Sequence, residues 1–197
     1  MLPRQAGAIG RPQPGCAIRI LAGGEGPGLR DAPPGEVGEI AFAGPSASPG
    51  YFRNEAATAE TFVDGWVLTG DLGWIDGEGV LHFVDRKKDI INRGGLKISS
   101  AAIEEVLYRC PGIAEAAVIA VPHPKLGEDI AACVVPRPGI TLDTEALRAA
   151  CAQSLADNQV PRHWFVLPKL PRNGLGKVLK RELHSQLFAL TKQPPTA

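Results

Sequence analysis

The chain has no excess of either charge: 21 Lys and Arg balance 21 Asp and Glu over 197 residues. A neutral chain has no overall field to hold nucleic acid or an anionic membrane, so an anion site has to come from a local cluster. There is no C-x-x-C pair. Cys16, Cys110, Cys133 and Cys151 lie far apart, which gives neither a zinc site nor a disulfide framework and reads as buried free thiols in a reducing cytoplasm. No apolar signal region follows Met1-Leu2-Pro3-Arg4. No stretch is long enough to span a membrane, and no internal repeat is present. His82, His123, His163 and His184 have no spacing for a metal or a triad. They, with Trp66, Trp74 and Trp164, are assigned to packing, and no metal site is expected.

What is present is unevenly distributed. Gly and Pro fill 19 of the first fifty residues, a share that favours turns over a core. Short strands are predicted at Ala17–Leu21 and Glu39–Ala43, each bounded by Gly or Pro. Val80, Leu81, Phe83 and Val84 predict a strand after the turn at 76–79. Asp89–Asn92 and Leu96–Ile98 flank Arg93-Gly94-Gly95, a hairpin pattern. Between them, Asp85-Arg86-Lys87-Lys88-Asp89 is a plausible boundary. From Ser99 onward helices and strands alternate. Ser99 or Ser100 caps a helix bearing Ile103, Val106, Leu107 and Cys110, which Pro111-Gly112 stops. Ala116–Val121 and Ile130–Val135 have strand length. Leu147, Cys151 and Leu155 mark a helix ending before Pro161, Trp164–Leu167 a strand, and Leu179, Leu183 and Leu187 a last helix. The order α-β-β-α-β-α predicts a small sheet with helices packed on it.

Positive charge collects in two segments that also carry glycines. Arg86, Lys87, Lys88, Arg93 and Lys97 accompany Gly94-Gly95; Lys177, Lys180 and Arg181 accompany Gly174 and Gly176. Cations beside glycines suit phosphate groups, although a solvated basic face with two ordinary turns has the same composition. Thr69-Gly70-Asp71 adds a carboxylate just after an apolar strand. Two carboxylate oxygens can accept from two neighbouring hydroxyls, as on a ribose.

In order, the chain reads Gly38-Glu39-Ile40, Gly50-Tyr51-Phe52, Thr69-Gly70-Asp71, Asp85-Arg86-Lys87-Lys88-Asp89-Ile90-Ile91, Gly94-Gly95, Glu104-Glu105, and Leu170-Pro171-Arg172-Asn173-Gly174-Leu175-Gly176-Lys177. This set closely resembles the adenylate-forming superfamily: acyl- and aryl-CoA ligases, peptide-synthetase adenylation domains and beetle luciferases. The resemblance runs from about Gly10 to Leu187. It implies an enzyme that joins a carboxylic acid to AMP with ATP and Mg2+, releases pyrophosphate, and passes the acyl group to coenzyme A. It assigns Asp71 and Arg86 to the ribose of the nucleotide, Lys88 to the hinge, Gly94 and Gly95 to the pantetheine tunnel of coenzyme A, and Lys177 to catalysis of adenylation. Members often have a tryptophan where this chain has Leu126.

The resemblance also implies an α+β fold in two parts. Residues 1–85 correspond to a short β-rich, barrel-like remnant of the large domain, 86–88 to the hinge, 89–190 to the mobile C-terminal domain and 191–197 to a tail. The family's larger N-terminal region, with its phosphate loop, adenine and acid pockets and magnesium-holding Thr-Glu, has no counterpart here, nor does a G-x-x-x-x-G-K-[ST] loop replace it. The expectation is the C-terminal part of an acid–CoA ligase, inactive by itself and cytoplasmic, whose partners are ATP or AMP, the acid, coenzyme A and the missing region. The alternatives are an adenylation domain serving a carrier protein in trans, and a non-catalytic binding or regulatory module.

Overall fold

The computed structural model describes residues 7–23 and 28–191, with side chains described as far as Leu187. The backbone forms two compact units that divide between Lys88 and Asp89.

The first unit holds β1 (Ala8–Gly10), β2 (Ala17–Leu21), β3 (Gly38–Ala43), α1 (Glu55–Thr61), β4 (Phe62–Val63), β5 (Trp66–Ile75) and β6 (Leu81–Arg86). The strands make one antiparallel sheet in the order β1-β6-β5-β3-β2, with β4 beside β5. Among the described residues the sheet is open, with β1 and β2 at its ends, and this is the form that the β-rich, barrel-like remnant takes. The buried centre is small: Ile20, Ile40 and Leu81, with Ile18, Ala32 and Ile75 against it. At one end of β5–β6, His82 lies across from Trp74, stacks on it at 4.4 Å and meets Asp76 Oδ2 through Nε2 at 2.8 Å. That hydrogen bond, with the Val80 and Glu78 N–H groups, holds the Asp76 carboxyl below its ordinary range.

Three elements of this unit were not read from the sequence. None of the α1 residues is buried, so it has no apolar stripe to betray it; its start is fixed by Asn54, whose Oδ1 accepts from Ala57 N–H. The β4–β5 hairpin turns on Asp64-Gly65, at φ 50° and 80°. Asp-Gly between Phe62-Val63 and Trp66-Val67 is a legible hairpin signal that the strand patterns overshadowed. The short β1 pairs with β6 near Leu81 and His82.

The second unit runs β7 (Ile90–Arg93), β8 (Leu96–Ser99), α2 (Ser100–Arg109), β9 (Ile113–His123), β10 (Gly127–Pro136), α3 (Thr144–Ala152), β11 (His163–Val166) and α4 (Lys180–Thr191). From α2 onward this is the expected α-β-β-α-β-α order, with β9 and β10 longer than their apolar centres. β10 is the spine. It pairs antiparallel with β9 along its length; its other edge takes β7 at Gly127 and, in parallel, β11 at Ala131–Val134. Alternate residues of β9 and β10 enter different cores. Val118, Ile130, Ala132 and Val134 pack with Ile103 and Leu107 of α2 and Leu147 and Cys151 of α3. Ala117, Ile119, Ala131 and Cys133 pack with Leu183 and Leu187 of α4. A strand covered on both faces reads as a continuous apolar run, which is how the sequence presented it. Ser99 Oγ accepts from Ala102 N–H as the α2 N-cap, a contact that contributes about 1 kcal/mol. Burial, reinforced by the nearby Glu104 charge, pushes the Cys133 thiol to about 12, and burial with the neighbouring Cys110 pushes the Cys151 thiol to about 11. Cys16 is half-buried and the other three cysteines are buried, all as free thiols.

Candidate active-site segments

Thr69-Gly70-Asp71 does not follow β5, as the sequence suggested, but lies within it. The ladder between β3 and β5 pairs Glu39 with Leu72 and Ala41 with Leu68, so three residues of β5 stand opposite Ile40 alone. The result is a bulge, and Gly70 at φ 70° supplies the left-handed residue it needs. The bulge finds its own hydrogen bonds. Thr69 Oγ1 donates to Ile40 O at 2.7 Å and accepts from Asp71 N–H at 3.1 Å. Gly70 N–H donates to Glu39 Oε1 at 3.2 Å.

The bulge turns Asp71 toward Arg86, its cross-strand partner at the end of β6. Arg86 Nε lies 3.3 Å from Asp71 Oδ1. The charges attract, but the N–H is not aimed along the contact, and Asp71 Oδ1 is screened from water without a hydrogen-bond donor. An oxygen in that condition costs free energy until a donor arrives. Two hydroxyls are donors of the right kind. Arg86, grouped with the boundary run in the sequence, is the last residue of a strand; Lys87–Asp89 form a single 3-10 turn after it. Lys87 Nζ donates to Glu39 Oε2 at 2.8 Å. Lys88 is exposed, with no ion-pair partner among the described residues.

Gly94 and Gly95, at φ 59° and 85°, form the two-residue turn of the β7–β8 hairpin. Its base is anchored to the strand and loop around 126–129. Gly94 N–H donates to Leu126 O at 2.8 Å, and Asn92 N–H to Glu128 Oε2 at 2.6 Å. Arg93, 8% exposed, donates through Nε to Asp129 Oδ1 at 2.7 Å and through Nη1 to Asn158 O at 3.2 Å. Burial would raise the Asp129 carboxyl, but the Ile130 N–H and the Arg93 guanidinium outweigh it and hold it below its ordinary value. A Cβ on Gly94 would meet Leu126 Cδ2 at 3.2 Å, whereas one on Gly95 would meet open space.

Lys177 sits on an exposed loop built by Asn173. Asn173 Oδ1 accepts from the N–H groups of Leu175 and Lys177, and Asn173 N–H donates to Lys177 O at 2.9 Å. Arg172 ties the loop to β9, bonding Glu115 and Gly176 O. The neighbouring cation Lys180 is engaged by Glu104 at 2.7 Å and Ser100 at 2.8 Å. The Lys177 ammonium has no such partner among the described residues, so of the two lysines it is the one free to meet an anion. No group of three or more metal-ligating side chains occurs among the described residues, and no described helix is long and apolar enough to cross a membrane.

Residues 102–177 match the family described as the AMP-binding enzyme C-terminal domain. The sulfoacetate–CoA ligase of Cupriavidus necator is 41% identical over 181 residues, 91% of this chain and 35% of that protein. The feruloyl-CoA synthase of an Amycolatopsis species is 44% identical over 80% of this chain and 32% of its own length. Among solved structures, ATP-bound MatB from Rhodopseudomonas palustris superposes with a TM-score of 0.84 at 34% identity, over 94% of this chain and 37% of that one. The o-succinylbenzoate CoA synthetase of Bacillus subtilis, in complex with its acyl-adenylate intermediate, gives 0.82 at 35% identity, over 97% and 36%. The chain thus spans about a third of the length of the curated relatives it matches. In sequence, fold and motif order it belongs to the adenylate-forming superfamily of acyl- and aryl-CoA ligases, of which it carries the C-terminal portion.

Proposed function

We propose that this chain supplies the nucleotide-ribose contact, the pivot and the mobile catalytic part of a cytoplasmic ligase that makes an acyl-adenylate from ATP and a carboxylic acid and then an acyl-CoA thioester. The observation that carries the proposal is the screened, donor-less Asp71 Oδ1 beside Arg86. It is an acceptor in want of a hydroxyl, and the family places a ribose there. Asp71 accepts from the ribose hydroxyls while Arg86 lies against the same carboxylate. Lys177, on its ordered but exposed loop, meets the charge that shifts onto the bridging and leaving oxygens as carboxylate attacks the α-phosphorus. A point cation there is attracted more strongly in the transition state than before it. Rotation at Lys88 then exchanges the Lys177 loop for the Gly94-Gly95 turn, past which the thiol arm of coenzyme A enters. Mg2+ would neutralise the phosphates when bound; its ligands belong to the region that the relatives carry in addition.

The test joins this chain to the large N-terminal region of a relative and measures acid-dependent ATP–pyrophosphate exchange. The joined enzyme is expected to exchange and the chain alone is not. Lys177→Ala in the joined enzyme should lower adenylation by a factor of roughly 10² to 10³ and spare thioester formation from supplied acyl-adenylate. Loss of both half-reactions, or no exchange by the parent, counts against the assignment.

A further inference from the structure

We propose that Glu39 is a positioning residue whose single carboxylate braces both the bulge that presents Asp71 and the residue before the pivot. The inference rests on the assignment of Asp71 and Lys88 given above and deepens it. Glu39 stands on β3, where the ladder breaks to make the bulge. Its two oxygens face different donors. Oε1 takes Gly70 N–H at 3.2 Å, the amide that the bulge removes from the strand ladder. Oε2 takes Lys87 Nζ at 2.8 Å, from 48 positions further along the chain.

The two ends of this bridge differ in exposure. The Glu39 side chain is 15% exposed and that of Lys87 is 64%. An ion pair with one partner so far in solvent adds little stability, so its effect is to fix position. With Lys87 tethered to the sheet, the backbone is held through that residue. Lys88 is the first residue past the tether, and the two compact units divide immediately after it. A sharply defined pivot requires that the chain be immobile up to it and free beyond it. At the other end, Gly70 adopts a left-handed φ that no side chain of its own can secure, so an acceptor from β3 has to hold it. The carboxylate therefore refers two things to one point of the sheet: where the ribose is gripped and where rotation begins.

The two arms are separable by substitution. Glu39→Gln keeps an oxygen for Gly70 N–H but removes the charge that holds Lys87. Lys87→Met removes the same arm from the other side, at an exposed position. Glu39→Ala removes both arms. In the joined enzyme, Glu39→Gln and Lys87→Met should each lower kcat for adenylation by roughly fivefold with the KM for ATP unchanged, and the double variant should be no worse than either single one. Glu39→Ala should in addition raise the KM for ATP by roughly fivefold, because the bulge loses its brace. In the chain itself, amide exchange at Gly70 should accelerate in Glu39→Ala and not in Lys87→Met. Multiplying effects of Glu39→Gln and Lys87→Met, or unchanged Gly70 exchange in Glu39→Ala, would overturn the inference while leaving the ligase assignment intact. A parent enzyme without acid-dependent exchange would remove both.

Discussion

At the scale of single residues, the most consequential contact outside the proposed chemistry is Arg93–Asp129. Both side chains are withdrawn from water, at 8% and 1% exposure. Replacing Asp129 by Asn leaves the Arg93 charge buried without its counter-ion, which costs roughly 3–5 kcal/mol. The sign with pH follows from the lowered Asp129 carboxyl. Its contribution is complete above the ordinary Asp value of about 3.9 and is lost as pH falls below it. His163 Nε2, 3.7 Å from Asp129 Oδ2, is the other titratable group facing this carboxylate in the contacts described. Urea unfolding of the chain followed between about pH 6 and 3 should show the parent losing stability in acid, and Asp129→Asn less stable at neutrality with a flatter acid limb. Residues that carry family motifs, such as Asp71, Arg86 and Lys177, could be named as candidates from order and spacing. Glu39, Asp129 and Asn173 could not be given their roles, because their partners are set by strand register and loop folding. Asp129 meets Arg93 across 36 positions, a separation that no local pattern encodes.

At the scale of elements, legibility followed burial. α2, α3 and α4 each bury a stripe of apolar residues, and the sequence shows that stripe at helical spacing. α1 buries nothing and was invisible. The β7–β8 hairpin was legible for another reason: two successive glycines between apolar runs admit few backbone solutions. That turn offers a clean separation of folding from function. Asn tolerates a left-handed φ at low cost, and the space beyond Gly95 is open. Gly95→Asn should therefore melt within a few degrees of the parent. If the turn borders the path of the pantetheine arm, the same substitution slows acyl transfer to coenzyme A while pyrophosphate exchange is unchanged. Equal rates of both half-reactions in this variant would remove Gly95 from the tunnel.

At the scale of the whole molecule, the sequence anticipated an α+β chain in two parts, and the structure has two units with one sheet each. The first, expected as a short β-rich, barrel-like remnant, is an open antiparallel sheet. The pivot proposed at Lys88 makes a kinetic prediction. Lys88→Pro fixes φ at that proposed point of rotation, so it should slow one half-reaction of the joined enzyme far more than the other, with pyrophosphate exchange and thioester formation measured separately. The placement of β10 has a last consequence. It precedes β11, its parallel neighbour, in the chain, and its second face packs on residues that come later than α3, Phe165, Leu170, Leu183 and Leu187 among them. A nascent chain halted after α3 would present Ala131 and Cys133 to solvent, a surface for chaperones to hold. Shortening α4 is thus expected to be punished during biosynthesis, well before any substrate is met.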